Sequence, residues 1–157
     1  MKSKTVRILL IDDERVNCDC FRAMVHEWDK EMSLGKGIHI VGTIQEDAVE
    51  DLGTLTLQDY DVIIVDQQFH NREQTGCDLL DYVNFETQYV IIISQLIDSL
   101  LPCYDDERVI AHLDRVVVLP KAPCMRTRHA KAGTGSASYG WWDSRLRLWL
   151  QEISQRL

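Results

Sequence analysis

The sequence predicts an α/β fold in which a doubly wound, five-stranded parallel sheet carries helices on both faces. Its 157 residues suffice for one domain with a sizeable core. Five short apolar runs are nearly continuous rather than alternating, which is typical of strands buried on both faces. Segments with helical spacing of apolar residues follow these runs, and right-handed crossovers then place helices on both sides of the sheet.

The predicted strands are rich in Val, Ile and Leu. They are VRILLI at 6–11, IHIVGT at 38–43, DVIIVD at 61–66, YVIIIS at 89–94 and RVVVLP at 115–120. Because a strand covered on both faces has no solvent-facing side, it needs no regular alternation of polar residues.

The predicted helices are 14–30, 45–57, 76–85, 103–113 and 140–157. The first carries one apolar stripe and is ended by Gly35 and Gly37, whereas the second is interrupted by Gly53. The fourth groups three apolar residues on one face, namely Val109, Ile110 and Leu113. The last repeats apolar residues at helical spacing, namely Trp142, Leu146, Trp149, Leu150, Ile153 and Leu157.

Composition and charge exclude several classes of protein. Hydrophobic residues make up 45% of the chain and charged residues 27%, values that exclude a disordered protein. Even the longest aliphatic runs, such as 90–93, are far too short to span a membrane, and no secretory signal opens the chain. A net charge of −8 argues against nucleic-acid binding, which needs a cationic face.

Cysteine and histidine usage points to the cytoplasm and away from zinc. The five cysteines include no C-x-x-C pair, so we expect a reducing, cytoplasmic environment and no disulfide framework. The five histidines include no i,i+4 pair, so no zinc site is predicted. Charge is uneven along the chain, because residues 122–157 carry a net +4 and residues 1–121 a net −12.

Polar side chains follow four of the predicted strands. Asp12 and Asp13 follow the first strand, and Asp66 ends the third. Ser94 ends the fourth strand, and Lys121 follows the fifth. Taken singly, each residue is commonly structural, for example as an N-cap of the first helix. Because ligands of doubly wound sheets bind outside the carboxyl ends of the strands, the set as a whole predicts a functional site.

The predicted site has a recognisable chemistry. Three carboxylates within a few ångströms repel one another, and a hard divalent cation removes that conflict. Mg²⁺ fits, because it takes oxygen ligands from one or two carboxylates and retains water. With Lys121 as a further positive charge and Ser94 as a hydrogen-bond donor, the set suits a phosphoryl group attached to a carboxylate.

With these motifs the chain resembles a response-regulator receiver domain of two-component, or phosphorelay, signalling. The resemblance rests on ILLIDDE in the first strand, YDVIIVD in the third, VIIIS in the fourth and VVVLPK in the fifth. It covers nearly the whole chain, so residues 1–157 are expected to form a single receiver domain. The fold that it implies is flavodoxin-like, a (βα)5 sandwich.

The resemblance implies a role for each residue of the predicted site. Asp66 would accept the phosphoryl group from a sensor histidine kinase or a phosphotransfer protein, Ser94 would follow that group, and Lys121 would pair with it. The implied Mg²⁺ ligands are Asp12, Asp13, Asp66 and the backbone carbonyl of Gln68. The domain would catalyse its own phosphorylation without being an enzyme on an external substrate. A homodimer contact through the fourth helix, fifth strand and fifth helix is also implied.

The chain departs from the family pattern at four places. Gln95 follows Ser94 where the family has a small residue, and Val118 stands at the family's aromatic switch position. The stretch from Asp66 to Gly76 is long and contains no proline. A basic, Gly- and Ser-containing insertion at about 122–140 precedes the last helix, either as a surface loop or as a basic flap beside the acidic pocket.

Two other functions stay open at this point. One is a pseudo-receiver, a protein-binding module that keeps the fold and signals without phosphorylation, which Gln95 and the altered 67–76 loop favour. The other is a phosphohydrolase acting on small phosphoesters. Uptake of one phosphoryl group from a small donor with Mg²⁺ would separate the receiver from the pseudo-receiver.

Overall fold

The computed structural model of the protein describes residues 3–46, 51–69, 73–94, 97–120 and 144–157. Within them, one all-parallel sheet has the strand order β2-β1-β3-β4-β5. The strands are β1 (Lys4–Ile11), β2 (Ile38–Gln45), β3 (Val62–Asp66), β4 (Tyr89–Ser94) and β5 (Val116–Pro120). All five predicted strands and the doubly wound parallel fold are confirmed.

Apolar cores lie on both faces of the sheet. One core packs α1 (Arg15–Lys36) and α4 (Ser144–Arg156) against the strands. The other packs α2 (Ile97–Tyr104), α3 (Glu107–Ala111) and two short 3₁₀ helices against the opposite face. Every residue of β3 and β4 is buried, which explains their unbroken apolar sequences. The predicted covering of both faces is therefore confirmed.

Helix α1 is longer than predicted. It continues six residues past position 30 because the apolar stripe continues to Met32, which is buried. Gly35 lies inside the helix, and only Gly37 ends it. Gly37 adopts the left-handed conformation with φ 64°, and its N–H donates to the carbonyl of Met32, a common way to close a helix.

Two predicted helices are 3₁₀ helices instead. The predicted helix at 45–57 is wrong in its described part: β2 extends through Gln45, and the first 3₁₀ helix covers only Leu52–Thr54. The Asp51 carboxylate accepts the Gly53 N–H and fixes this tight turn. The predicted helix at 76–85 is the second 3₁₀ helix, Gly76–Tyr82, which a reciprocal capping box at its start holds in place. Residues 47–50 lie outside the described residues.

The predicted helix at 103–113 is also wrong, because α2 and α3 replace it. The helical conformation is interrupted before Asp106, whose carboxylate caps α3 by accepting the Arg108 N–H at 2.9 Å. Helix α3 then ends at Ala111, so Leu113 lies beyond the helix. Val109 is buried, whereas Ile110 and Leu113 are exposed rather than sharing its face.

The last helix follows its predicted pattern. Leu146, Leu150 and Ile153 are buried against the sheet, while Leu157 is partly exposed at the end. Trp142 and the 122–140 insertion lie outside the described residues. In the described part of the chain, no helix combines the length and the apolar character needed to cross a membrane.

Candidate functional site

The carboxyl ends of β1, β3, β4 and β5 meet at one edge of the sheet. Asp12 comes one residue beyond the Ile11–Val65 pair of β1 and β3, and Asp66 closes β3. Asp66 is paired with Ile93 of β4, and Ser94 follows directly. Three of the predicted site residues therefore lie at adjacent strand ends, as expected. All three are buried, with exposed fractions of 1% for Asp12, 6% for Asp66 and 2% for Ser94.

The Asp12 carboxylate is held by the start of α1. One oxygen accepts the Glu14 N–H at 2.9 Å, and the other accepts the Asn17 side-chain amide at 3.0 Å. Asn17 is itself buried and also donates to the Glu14 carboxylate at 3.1 Å. The N-cap of α1 is Glu14, so neither Asp12 nor Asp13 occupies that position. A carboxylate at a helix N-terminus is stabilised by the free N–H groups there.

Asn17 was not singled out from the sequence. A polar residue in the first turn of an amphipathic helix normally faces solvent. Here the Asn17 amide is buried and donates to the Asp12 carboxylate just beyond β1. The hydrogen bond orients the Asp12 carboxylate.

Asp13 is more exposed than Asp12 and faces a different environment. It lines an open pocket of about 400 Å³ between the start of α1 and the end of β2. The other lining residues are Arg15, Cys18, Asp19, Arg22 and Glu46. Arg22 forms ion pairs with Asp19 and Glu46 across this pocket. The two arginines in the lining offset part of the acidic charge at this corner.

The loop after Asp66 folds back on the strand end. One Asp66 oxygen accepts the Gln68 N–H at 3.2 Å. Gln67 anchors the loop by donating its N–H to the Ile93 carbonyl at 2.8 Å, and its side-chain oxygen accepts the Cys77 N–H at 3.0 Å. Gln68 and Thr75 form an antiparallel bridge that closes the loop. Residues 70–72 lie outside the described residues.

Gly76 ends this loop directly against the end of β3. Its N–H donates to the Gln67 carbonyl at 3.0 Å. A Cβ at this position would lie 2.6 Å from the Asp66 carbonyl oxygen, closer than such atoms normally approach. The long path from Asp66 to Gly76, noted in the sequence, therefore returns to the backbone of Asp66 itself.

Ser94 is linked to the first turn of α2. Its hydroxyl shares a hydrogen bond of 2.6 Å with the Ser99 hydroxyl, and either oxygen can donate. The sequence analysis did not identify Ser99 as part of the site, because the predicted helix began only at residue 103. The hydrogen bond joins the site to a helix that packs on the sheet. Lys121 and Gln95 lie outside the described residues.

The carboxylate oxygens at this edge are ligands of the type that Mg²⁺ prefers, but they are few. In the ranges that the structure describes, no group of three or more His, Cys, Asp or Glu side chains is placed to hold a metal ion. Mg²⁺ needs only one or two carboxylates where backbone oxygens and water complete its shell. Asp12 and Asp66 at adjacent strand ends match that chemistry. The ligand set that includes Asp13 stays a prediction.

A cluster of one arginine and three aspartates borders the site on the side of α3. Arg108 contacts the carboxylates of Asp106 at 2.7 Å, Asp81 at 3.0 Å and Asp78 at 3.6 Å. The hydrogen bonds from the Arg108 guanidinium hold the pKa of Asp106 below its usual range. This cluster fixes α3 to the second 3₁₀ helix.

Solved structures with the same architecture are found by comparison of the folds. The signal receiver domain of an HD domain-containing protein from Pseudomonas fluorescens Pf-5 superposes with a TM-score of 0.58 at 17% identity, over 98% of this chain and 97% of that chain. A response regulator receiver domain protein from Clostridium thermocellum gives a TM-score of 0.52 at 18% identity, over 96% and 95%. The protein therefore has the receiver-domain fold.

A part of this architecture is also shared with an enzyme. Homoserine dehydrogenase from S. aureus gives a TM-score of 0.51 at 17% identity, over 76% of this chain and 33% of that chain. Models of protein families give no match to the chain, and neither do curated proteins. Likeness at these identities establishes the fold, so function has to be argued from the site.

Proposed function

We propose that the protein is a response-regulator receiver in two-component signalling that takes a phosphoryl group onto Asp66 with Mg²⁺. The observation that carries the proposal is the position of Asp66. It closes the central strand β3 between the ends of β1 and β4, with the buried Asp12 and Ser94 at the neighbouring strand ends. A carboxylate so placed is a nucleophile with a hydroxyl donor on one side and a second carboxylate on the other.

In the proposed reaction an Asp66 oxygen attacks the phosphorus of a phosphohistidine in a sensor kinase or phosphotransfer protein. A P–O bond forms to Asp66 as the P–N bond breaks, and the histidine nitrogen leaves with the electron pair. The Gln68 N–H, which donates to Asp66 at 3.2 Å, orients the carboxylate. Bound Mg²⁺, held by Asp12, Asp13, Asp66 and the Gln68 carbonyl, would offset the charge of the phosphoryl oxygens.

The response to phosphorylation would pass through Ser94. Its hydroxyl is paired with Ser99 at the start of α2, and a phosphoryl group on Asp66 would compete for that hydroxyl as an acceptor. Loss of the Ser94–Ser99 hydrogen bond would release the first turn of α2. A changed α2 surface then alters the contacts offered to a partner protein.

The remaining assignments extend this proposal. Lys121 pairs with the phosphoryl group, and the basic insertion at 122–140 acts as a flap or as a surface loop. Residues 1–157 act as one receiver domain in the cytoplasm, with a homodimer contact on the face of the last strand and the helices flanking it. The domain modifies itself, binds no nucleic acid, inserts in no membrane and is not an enzyme on an external substrate.

The primary test is incubation of the full chain with a small acyl phosphate, followed by intact mass measurement. With Mg²⁺ we expect a gain of one phosphoryl group that is lost on acid or base treatment, since an acyl phosphate hydrolyses readily. With a chelator in place of Mg²⁺ we expect no gain. No gain in either condition would refute the phosphoacceptor and favour the pseudo-receiver, a binding module that signals without phosphate.

Mg²⁺ binding is predicted to depend on Asp13. Asp13→Asn should weaken Mg²⁺ affinity about tenfold or more, because it removes an anionic oxygen ligand from a sparse set. Intrinsic tryptophan fluorescence or calorimetry measures the affinity. Asp19→Asn is the matched control, since Asp19 lines the same pocket and carries the same charge. Equal affinities in wild type and Asp13→Asn would remove Asp13 from the ligand set.

A further inference from the structure

Two buried cysteines meet between the second 3₁₀ helix and α2. The Sγ atoms of Cys77 and Cys103 lie 2.8 Å apart, although the two residues are separated by 26 positions in the sequence. Both are free thiols, with exposed fractions of 4% and 0%. A disulfide has an S–S distance of about 2.05 Å, so the bond needs an approach of only ~0.8 Å.

The two thiols are chemically unequal. The hydrogen bond between them lowers the pKa of Cys77 and raises that of Cys103, because the Cys103 thiol stabilises a thiolate at Cys77. Burial and the negative charge of Asp106 oppose the lowering of the Cys77 pKa, whereas the positive charge of Arg108 supports it. The thiolate is the nucleophilic form of cysteine, so Cys77 is the reactive member of the pair.

Cys77 borders a pocket on one side, whereas Cys103 does not. A pocket of about 280 Å³ opens between the loop after Asp66 and α2, and Cys77 is part of its wall. The rest of the wall is formed by Gln67, Gln68, Thr75, Ser99, Pro102, Asp106 and Arg108. Cys103 does not line this pocket and is fully buried behind Cys77. Cys77 is therefore the member of the pair that borders the pocket, although only 4% of it is exposed.

We propose that Cys77 and Cys103 form a peroxide-sensitive pair that closes to a disulfide, with Cys77 as the attacking thiol and Cys103 as the resolving thiol. In the first step the Cys77 sulfur attacks one peroxide oxygen, the O–O bond breaks, and a sulfenic acid and water are formed. In the second step the Cys103 sulfur attacks the Cys77 sulfur, the S–O bond breaks, and a second water leaves with the Cys103 proton. Two thiols and one hydrogen peroxide thus give one disulfide and two waters.

The bond would tie two elements that both border the candidate site. Cys77 lies in the second 3₁₀ helix next to Gly76, which packs on the Asp66 backbone. Cys103 lies in the last turn of α2, the helix that carries Ser99. Oxidation therefore fixes α2 to the second 3₁₀ helix, which begins where the loop after β3 ends. The inference is independent of phosphorylation, since it requires only the two thiols and the oxidant.

The test uses the reduced full chain, hydrogen peroxide and a thiol alkylating agent added after denaturation. The chain has five cysteines, so we expect five alkylated thiols before peroxide and three afterwards. Peptide mapping should find Cys77 joined to Cys103, and dithiothreitol should restore five thiols. This measurement on the wild-type chain does not rely on any variant folding correctly.

Single substitutions test which cysteine is the attacking thiol and which is the resolving thiol. Cys103→Ser should form no crosslink and should accumulate a sulfenic or sulfinic acid at Cys77. Cys20→Ser is the matched control, because Cys20 is equally buried but lies in the core on the other face of the sheet. It should still lose two thiols. Five alkylatable thiols after peroxide, or a crosslink that joins any other pair such as one with Cys124, would overturn the proposal.

Hydrogen exchange tests whether the disulfide restricts the motion of α2 and the second 3₁₀ helix. Oxidation should slow exchange in 97–104 and 76–82 and leave exchange in 15–36 unchanged, because α1 lies on the opposite face of the sheet. Equal exchange of 97–104 in a chain whose Cys77–Cys103 crosslink is verified would show that the bond does not fix α2.

Discussion

Asp66→Asn is expected to yield a folded protein that takes up no phosphoryl group from an acyl phosphate donor. The substitution keeps the side-chain shape and the oxygen that accepts the Gln68 N–H, so the loop after β3 retains its anchor. It replaces the second carboxylate oxygen by an amide and removes the nucleophilic charge. Intact mass after incubation with donor and Mg²⁺ measures the result, and circular dichroism checks the fold.

Asp59→Asn is the control for this substitution. Asp59 is an exposed carboxylate in the turn before β3, at the opposite end of the strand from Asp66. It should take up one phosphoryl group like wild type. An acid-labile phosphoryl group that persists in Asp66→Asn would show that another side chain is the acceptor, and would refute the assignment of Asp66.

Gly76→Ala is expected to lower the free energy of unfolding by about 1–3 kcal/mol and to slow phosphorylation of Asp66. The added Cβ would lie 2.6 Å from the Asp66 carbonyl oxygen and 3.0 Å from Cα of Gln67. Both are backbone atoms, so no flexible side chain can move aside. Either the second 3₁₀ helix or the end of β3 has to shift. Urea denaturation measures the stability, and intact mass against time measures phosphorylation.

Gly35→Ala is the matched control, because it adds the same methyl group where nothing lies within 4 Å. Gly35 is exposed inside α1, where alanine is favoured over glycine by roughly 0.5–1 kcal/mol, so this variant should be more stable than wild type. If Gly76→Ala matches the wild type in both stability and phosphorylation rate, close packing of Gly76 on the end of β3 is unimportant.

The sequence alone predicted the sheet and the position of the candidate site on it. Strands buried on both faces have to be apolar throughout, so β3 and β4 could be recognised without knowledge of their neighbours. Parallel strands end at one edge, and this alone brings Asp12, Asp66 and Ser94 together. Their chemical roles rest on the resemblance to receiver domains and stay predictions.

Tertiary structure decided the short helices and the supporting contacts. Apolar spacing indicates a helical face and leaves open whether the chain turns as a 3₁₀ helix, as in Gly76–Tyr82, or breaks at a cap such as Asp106. The hydrogen bond from Asn17 to Asp12 and the close approach of Cys77 to Cys103 depend on how separate elements pack against one another. Local patterns carry no signal for such contacts, because each partner is unremarkable in its own segment and gains its environment only when the other is brought beside it.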